Sequence, residues 1–91
     1  MKNILADKQT LLVDVRSAWE FEEDHLPNAK NIPLEEVAFR ISEFKEASGP
    51  IVLYCRSGNR SGMAVRLLTQ AGLKNIYNGG AIYDLKNIIL N

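Results

Sequence analysis

Ile51-Val52-Leu53-Tyr54-Cys55-Arg56-Ser57-Gly58-Asn59-Arg60-Ser61 is the stretch on which the fold turns. Its first four residues form an unbroken apolar run dense in β-formers, which predicts a central strand. Six polar or glycine residues follow Cys55 at once. Beyond them Ala64, Leu67, Leu68 and Ala71 recur at the spacing of an amphipathic helix, and Gly72 is placed to end it. A buried strand that feeds a polar loop and then a helix is the repeating unit of parallel α/β sheets.

The rest of the chain fits the same plan. Upstream, Gly49-Pro50 breaks the chain. Before it, Leu34, Val37, Ala38, Ile41 and Phe44 recur with helical period, with Glu35, Glu36, Arg40 and Glu43 between them, and predict one amphipathic helix. Ala29–Pro33 predicts a very short strand. Leu11-Leu12-Val13-Asp14-Val15 predicts a buried strand broken by one acid. Ser17 with Glu20 three positions on is a capping box, so a short helix starts there. It ends near Asp24–His25, because Pro27 disfavours helix at the residue before it. Downstream, Asn75–Asn78 predicts a short strand. Gly79-Gly80 predicts a tight turn bringing backbone near the Cys55 loop, and Ala81, Ile82, Leu85, Ile88 and Ile89 predict a last helix. The expected fold is α/β in three layers, a central and mostly parallel sheet flanked by helices, as one domain over residues 1–91.

Composition narrows the function. The chain has 91 residues, 46% of them hydrophobic, with 11 basic and 11 acidic side chains and no net charge. A chain of this size buries about 60–65% of its unfolded surface, enough for one core. Charge balance gives no support to a nucleic-acid partner or an anionic membrane. A single cysteine excludes an internal disulfide. One cysteine and one histidine, His25, are too few for a zinc site without carboxylates, so no metal is expected. The amino terminus lacks the apolar core of a signal peptide, and no apolar run approaches a membrane span. A soluble cytoplasmic monomer is the expectation.

Cys55 sits where ligands bind in open α/β sheets, beyond the carboxyl end of a strand. The helix start beside it supplies unpaired N–H groups and the positive end of a dipole, and both favour an anion such as a thiolate. Arg56 and Arg60 add charge, and Gly58 permits a backbone conformation other residues resist. A lone cysteine after a buried strand is usually an inert small hydrophobe. A structural cysteine has no need of this loop, so Cys55 reads as an activated nucleophile.

Val13-Asp14-Val15-Arg16, His25-Leu26-Pro27-Asn28-Ala29-Lys30-Asn31-Ile32-Pro33, Tyr54-Cys55-Arg56-Ser57-Gly58-Asn59-Arg60-Ser61 and Gly79-Gly80, in that order, resemble the single-domain rhodanese (sulfurtransferase) family. The resemblance runs from about Leu11 to Gly80. It implies a parallel sheet flanked by helices. It also implies that Cys55 takes the outer sulfur of a donor such as thiosulfate and holds it as a persulfide. The acceptor that receives it is cyanide, a thiol or a sulfur-acceptor protein. By the same match the N–H groups of Arg56, Ser57, Gly58, Asn59, Arg60 and Ser61 cradle the persulfide. Arg60 attracts an anionic donor, with Arg56 as a second cation beside it. No cofactor is implied. The chain departs from the family pattern at Asp24, where glycine is common, at Asp84, where tryptophan is common, and in its short amino-terminal segment.

Two rivals stand beside this reading. Cysteine phosphatases, and arsenate reductases with a similar loop, use Cys-x5-Arg, whereas Cys55 and Arg60 are one residue closer and close on a smaller object. A non-turnover relay or docking module is the other rival. Around the loop, Asp14 reads as a buried structural carboxylate that must be paired, and Arg16 as a residue that reaches the pocket mouth. His25 reads as structural and Ser61 as a helix cap. Trp19 and Phe21 read as core residues or cover for the short helix.

Overall fold

The computed structural model describes residues 1–90; Asn91, the last residue of the expected domain, lies outside them. The chain runs α1 (Lys2–Ala6), β1 (Leu11–Asp14), α2 (Ala18–Glu23), β2 (Lys30–Asn31), α3 (Leu34–Val37), α4 (Ile41–Lys45), β3 (Ile51–Cys55), α5 (Asn59–Gln70), β4 (Ile76–Ala81) and α6 (Ile82–Leu90). The four strands form one sheet in the order β2-β1-β3-β4, every neighbouring pair parallel. This is the expected α/β class, a parallel sheet with helices on both faces.

Strand alternation builds two cores from one sheet. Val13 and Val15, with Ile51, Leu53 and Cys55, point to the face covered by α3, α4 and α5, where Val37, Phe44, Ala64 and Leu68 meet them. Leu12, Val52 and Tyr54 point to the other face, packed by Leu26, by Leu85 and Ile88 of α6, and by Ile4 and Leu5 of α1. The inner strand β3 is buried at all five residues, so its sequence is a continuous apolar run. Among the described residues no helix is long and apolar enough to cross a membrane.

Three local expectations are corrected, and one element is new. The helix expected over Leu34–Phe44 is two short helices separated at Ala38–Arg40. Tight bonds from the N–H groups of Phe39 and Arg40 to the carbonyls of Glu36 and Val37 turn the chain there. Arg40 bridges the break, its guanidinium meeting Glu36 and Glu43 at 3.0 Å each. Leu34, Val37, Ile41 and Phe44 still face the sheet, while Ala38 and Phe39 are exposed.

Gly79-Gly80 is not a turn but part of β4. The pairing slips between Leu53 and Tyr54, so that Asn78 faces Leu53 and Gly80 faces Tyr54, and Gly79 is the extra residue of a bulge. A Cβ on Gly79 would come within 2.9 Å of Val52 Cγ1 and 3.0 Å of Leu85 Cδ1, so the close packing of sheet and α6 requires glycine there. The bulge still brings backbone to the Cys55 loop: a Cβ on Gly58 would stand 3.3 Å from Gly80 Cα. Trp19 is neither core nor cover, but 64% exposed. The amino-terminal segment forms α1, which the sequence reading does not contain; its apolar Ile4 and Leu5 pack on the α6 side of the sheet.

Candidate functional site

Cys55 is the last residue of β3 and is fully buried. The chain then turns through Arg56, Ser57 and Gly58 into α5, with Gly58 at the helix N-cap and a φ of +97°. That left-handed conformation favours glycine. It turns the Gly58 N–H onto Cys55 Sγ at 2.9 Å, and one turn later the Ser61 N–H comes within 3.5 Å. Ser61, read from the sequence as a helix cap, is instead the third residue of α5, because Gly58 holds the N-cap; its Oγ lies 3.4 Å from the same sulfur. The sulfur thus sits at the amino end of a 12-residue helix, where free N–H groups and the dipole favour negative charge. Burial pushes the Cys55 thiol up. The Ser61 hydroxyl and the N–H groups of Ser61, Gly58 and Ser57 pull it down, and the balance lies below the ordinary thiol value.

The arginines of the loop diverge. Arg60 is forked onto Glu20 of α2, Nη1 to Oε1 at 2.8 Å and Nη2 to Oε2 at 3.1 Å. The guanidinium that the sequence reading aims at an anionic donor therefore has a resident carboxylate. Arg56 is exposed and makes no ion pair among the described residues. It lines a shallow cavity of about 330 Å³ with Arg16, Trp19, Glu20, Glu23, Asp24 and Ile82. Ser57 Oγ faces the Asn59 N–H at 3.5 Å.

Asp14 and Arg16 stand one strand over. Asp14 is fully buried and takes the Arg16 N–H at 2.9 Å and its guanidinium at 2.8 to 3.1 Å. Arg16 Nη2 also donates to the Asp24 carbonyl at 2.6 Å, which fixes the end of α2. His25 is exposed, stacked on Phe21 with ring centroids 3.8 Å apart, and its Nδ1 lies 2.8 Å from the Phe21 carbonyl. Among the described residues no hydrogen bond or ion pair joins it to the Cys55 loop. Among the described residues no three His, Cys, Asp or Glu side chains are grouped to hold a metal ion.

Two residues at this site escape the sequence reading. Glu20 is legible there only as the capping-box acid, and it fills that role: its Oε1 accepts the Ser17 N–H at 3.1 Å as well as Arg60. Asn78, read as one residue of a short strand, has its carboxamide between the Cys55 loop and the β4 bulge. The only signal for it is a polar residue closing an apolar strand directly before two glycines.

The Glu20–Arg60 pair carries a pH prediction. The Arg60 guanidinium holds the Glu20 carboxyl down at about 2, against an ordinary 4.5. A carboxyl lowered on folding contributes its stability fully above the unfolded value and loses it as pH falls toward the folded one. The pair therefore supports the fold above 4.5 and fades toward 2. Glu20→Gln keeps the helix cap but loses the ion pair. It is expected to cost about 1 kcal/mol at neutral pH, as a partly exposed pair does. The gap to the parent should shrink at about pH 3 in urea unfolding; a gap that stays constant contradicts it.

This chain belongs to the rhodanese-like family: residues 1–81 match the rhodanese-like domain. It is 32% identical over 74 residues to the thiosulfate sulfurtransferase PspE of Escherichia coli, covering 80% of this chain and 71% of that one. It is 38% identical over 73 residues to the putative sulfur carrier protein YrkF of Bacillus subtilis, covering 80% of this chain. The chain spans 56% of the length of one Bacillus subtilis relative, YqhL, and 39% of YrkF. A solved rhodanese from Escherichia coli, described with anions, superposes with a TM-score of 0.76 at 32% identity, over 82% of this chain and 89% of the other.

Proposed function

We propose that this chain transfers sulfane sulfur through a persulfide on Cys55. One observation carries the reading: the only thiol of the chain ends a central strand with the N–H groups of Gly58 and Ser61 on its sulfur. With thiosulfate as donor, the Cys55 thiolate attacks the outer sulfur. The new bond is Cys55 S–S, the bond inside thiosulfate breaks, and sulfite leaves with its electron pair. The terminal sulfur of the persulfide carries the negative charge. Cyanide or an acceptor thiolate then attacks that sulfur, and the electron pair of the Cys–S–S bond returns to Cys55. The two halves predict ping-pong kinetics.

The N–H groups serve every anionic state of the sulfur and need no reorganisation between them. Arg60, held by Glu20, shapes the loop and adds a nearby positive charge. Arg56, exposed in the loop and in no ion pair among the described residues, is the cation that meets an anionic donor. Asp14 and Arg16 hold the end of α2 against the loop. No cofactor enters the cycle, and a reducing compartment such as the cytoplasm keeps the thiol free between turnovers. The resemblance of the chain to a putative sulfur carrier favours a second reading, a relay that delivers only to a protein acceptor.

The test is intact-protein mass spectrometry after incubation with thiosulfate in the absence of reductant. A gain of one sulfur atom, removed by cyanide with release of thiocyanate, is the expected result. Sulfur that loads but leaves only to a protein thiol selects the relay. No loading from thiosulfate or from glutathione persulfide overturns both.

A further inference from the structure

The Asn78 side chain makes three hydrogen bonds, and they fix which way its amide faces. Oδ1 accepts the Gly80 N–H at 2.9 Å, and Nδ2 donates to the Gly58 carbonyl at 3.2 Å. A flipped amide would set donor against donor and acceptor against acceptor at both places. The oxygen 2.7 Å from Ser61 Oγ is therefore an acceptor only, and the short contact requires the Ser61 hydroxyl to donate its hydrogen to Asn78. That hydroxyl has one hydrogen. Toward Cys55 Sγ, 3.4 Å away, it presents a lone pair.

We propose that Asn78 is a positioning residue whose amide oxygen holds the Ser61 hydroxyl hydrogen away from Cys55, so that Ser61 meets the resting thiol as an acceptor. The resting state is then a chain of donors, Cys55 S–H to Ser61 Oγ and Ser61 O–H to Asn78 Oδ1. When the thiol loses its proton to solvent, the hydroxyl turns from Oδ1 to the sulfur. Asn78 Oδ1 is not stranded by this turn, because the Gly80 N–H still satisfies it. Asn78 thus competes with the thiolate for one hydrogen and sets how readily the sulfur ionises. The same carboxamide ties the carbonyl of Gly58, whose N–H serves the sulfur, to β4.

The charged groups near Cys55 lie on other elements. They are Arg60 with its partner Glu20, the loop residue Arg56, and the Asp14–Arg16 pair at the end of β1. None of them hydrogen bonds to Ser61 or Asn78. No residue of β4 is titratable except Tyr77, which hydrogen bonds to Asn75. Changing Asn78 therefore changes the hydroxyl without touching an ion pair.

The experiment is a thiolate absorbance titration of the folded chain, with the Cys55→Ser curve subtracted. The readout concerns the thiol alone, so it stands apart from whether Cys55 carries sulfur. Asn78→Ala frees the hydroxyl for the thiolate. At a pH below the midpoint its thiolate fraction should rise about threefold to tenfold, the worth of one hydrogen bond. In a Ser61→Ala background the same change should move nothing upward. A loop merely loosened by the lost tether would lose its N–H donors and move the midpoint the opposite way. Asn78→Asp is close in shape and keeps the acceptor, but adds negative charge and loses the donor to the Gly58 carbonyl, so it should ionise Cys55 at higher pH. It keeps the test usable where the alanine variant does not fold. A midpoint unchanged or raised in folded Asn78→Ala, or unchanged or lowered in Asn78→Asp, overturns the proposal.

Discussion

Cys55→Ser is expected to take up no sulfur from any donor and to retain the fold. Serine replaces sulfur with a smaller oxygen at a site lined by Gly58 and Ser61 N–H groups, and the hydroxyl finds the same hydrogen-bond partners. The lost packing is that of one atom, so the stability change stays within about 1 kcal/mol. The chemical change is far larger. A hydroxyl is not ionised at neutral pH and does not attack a sulfane sulfur. With one cysteine in the chain, no second thiol can stand in. The pair of measurements is the sulfur mass gain and a thermal melt on parent and variant. A variant that still loads sulfur would move the chemistry away from Cys55. A variant that unfolds would make the loss uninformative, and Cys55→Ala would then replace it.

The path from sequence to this site was legible where the signals are local. Ile51–Tyr54 is apolar because β3 is covered on both faces, and periodicity reads burial directly. The capping box at Ser17 and Glu20 forms as read. What stayed hidden depends on contacts between distant residues. Glu20 and Arg60 are 40 positions apart, and nothing in either segment says that α2 lies beside the loop. Asn78 is 17 positions from Ser61, and its role exists only once a bulge has turned β4 toward that helix. Gly79-Gly80 resembles a turn in sequence because glycine marks turns and bulges alike. Only packing against Val52 and Leu85 separates the two. The break after Val37 is likewise invisible to period, since Leu34, Val37, Ile41 and Phe44 keep helical spacing across it. Trp19 shows the reverse error: a large apolar side chain raises the expectation of burial, but no residue of α2 is buried, and its partly covered side chains are Glu20 and Phe21.

Asp14→Ala is expected to cost the most stability of any change near the site. Asp14 is fully buried, and Arg16 is 7% exposed. The arginine is held protonated by its hydrogen bonds to Asp14, against the cost of its burial. Removing the carboxylate leaves a buried guanidinium with only the Asp24 carbonyl as acceptor and no counter-charge, and leaves the Arg16 N–H without its acceptor. Breaking a buried pair from one side costs about 3–5 kcal/mol. In a domain of this size that is a Tm lower by about 12–40 °C, and a large part of a total of about 5–15 kcal/mol. Asp14→Asn keeps one acceptor oxygen and should lose less. Replacing both partners, as in Asp14→Leu with Arg16→Met, removes the unpaired charge and should recover much of the loss. That recovery separates a charge left unpaired from a strand that needs its acid. The consequence reaches the loop, because Arg16 anchors the Asp24 carbonyl at the end of α2, and α2 carries the Glu20 that grips Arg60. Asp14→Ala should therefore also weaken protection from hydrogen exchange at the start of α5, before global unfolding. A loss below about 1 kcal/mol would mean that water reaches Arg16 and that the pair is not the anchor.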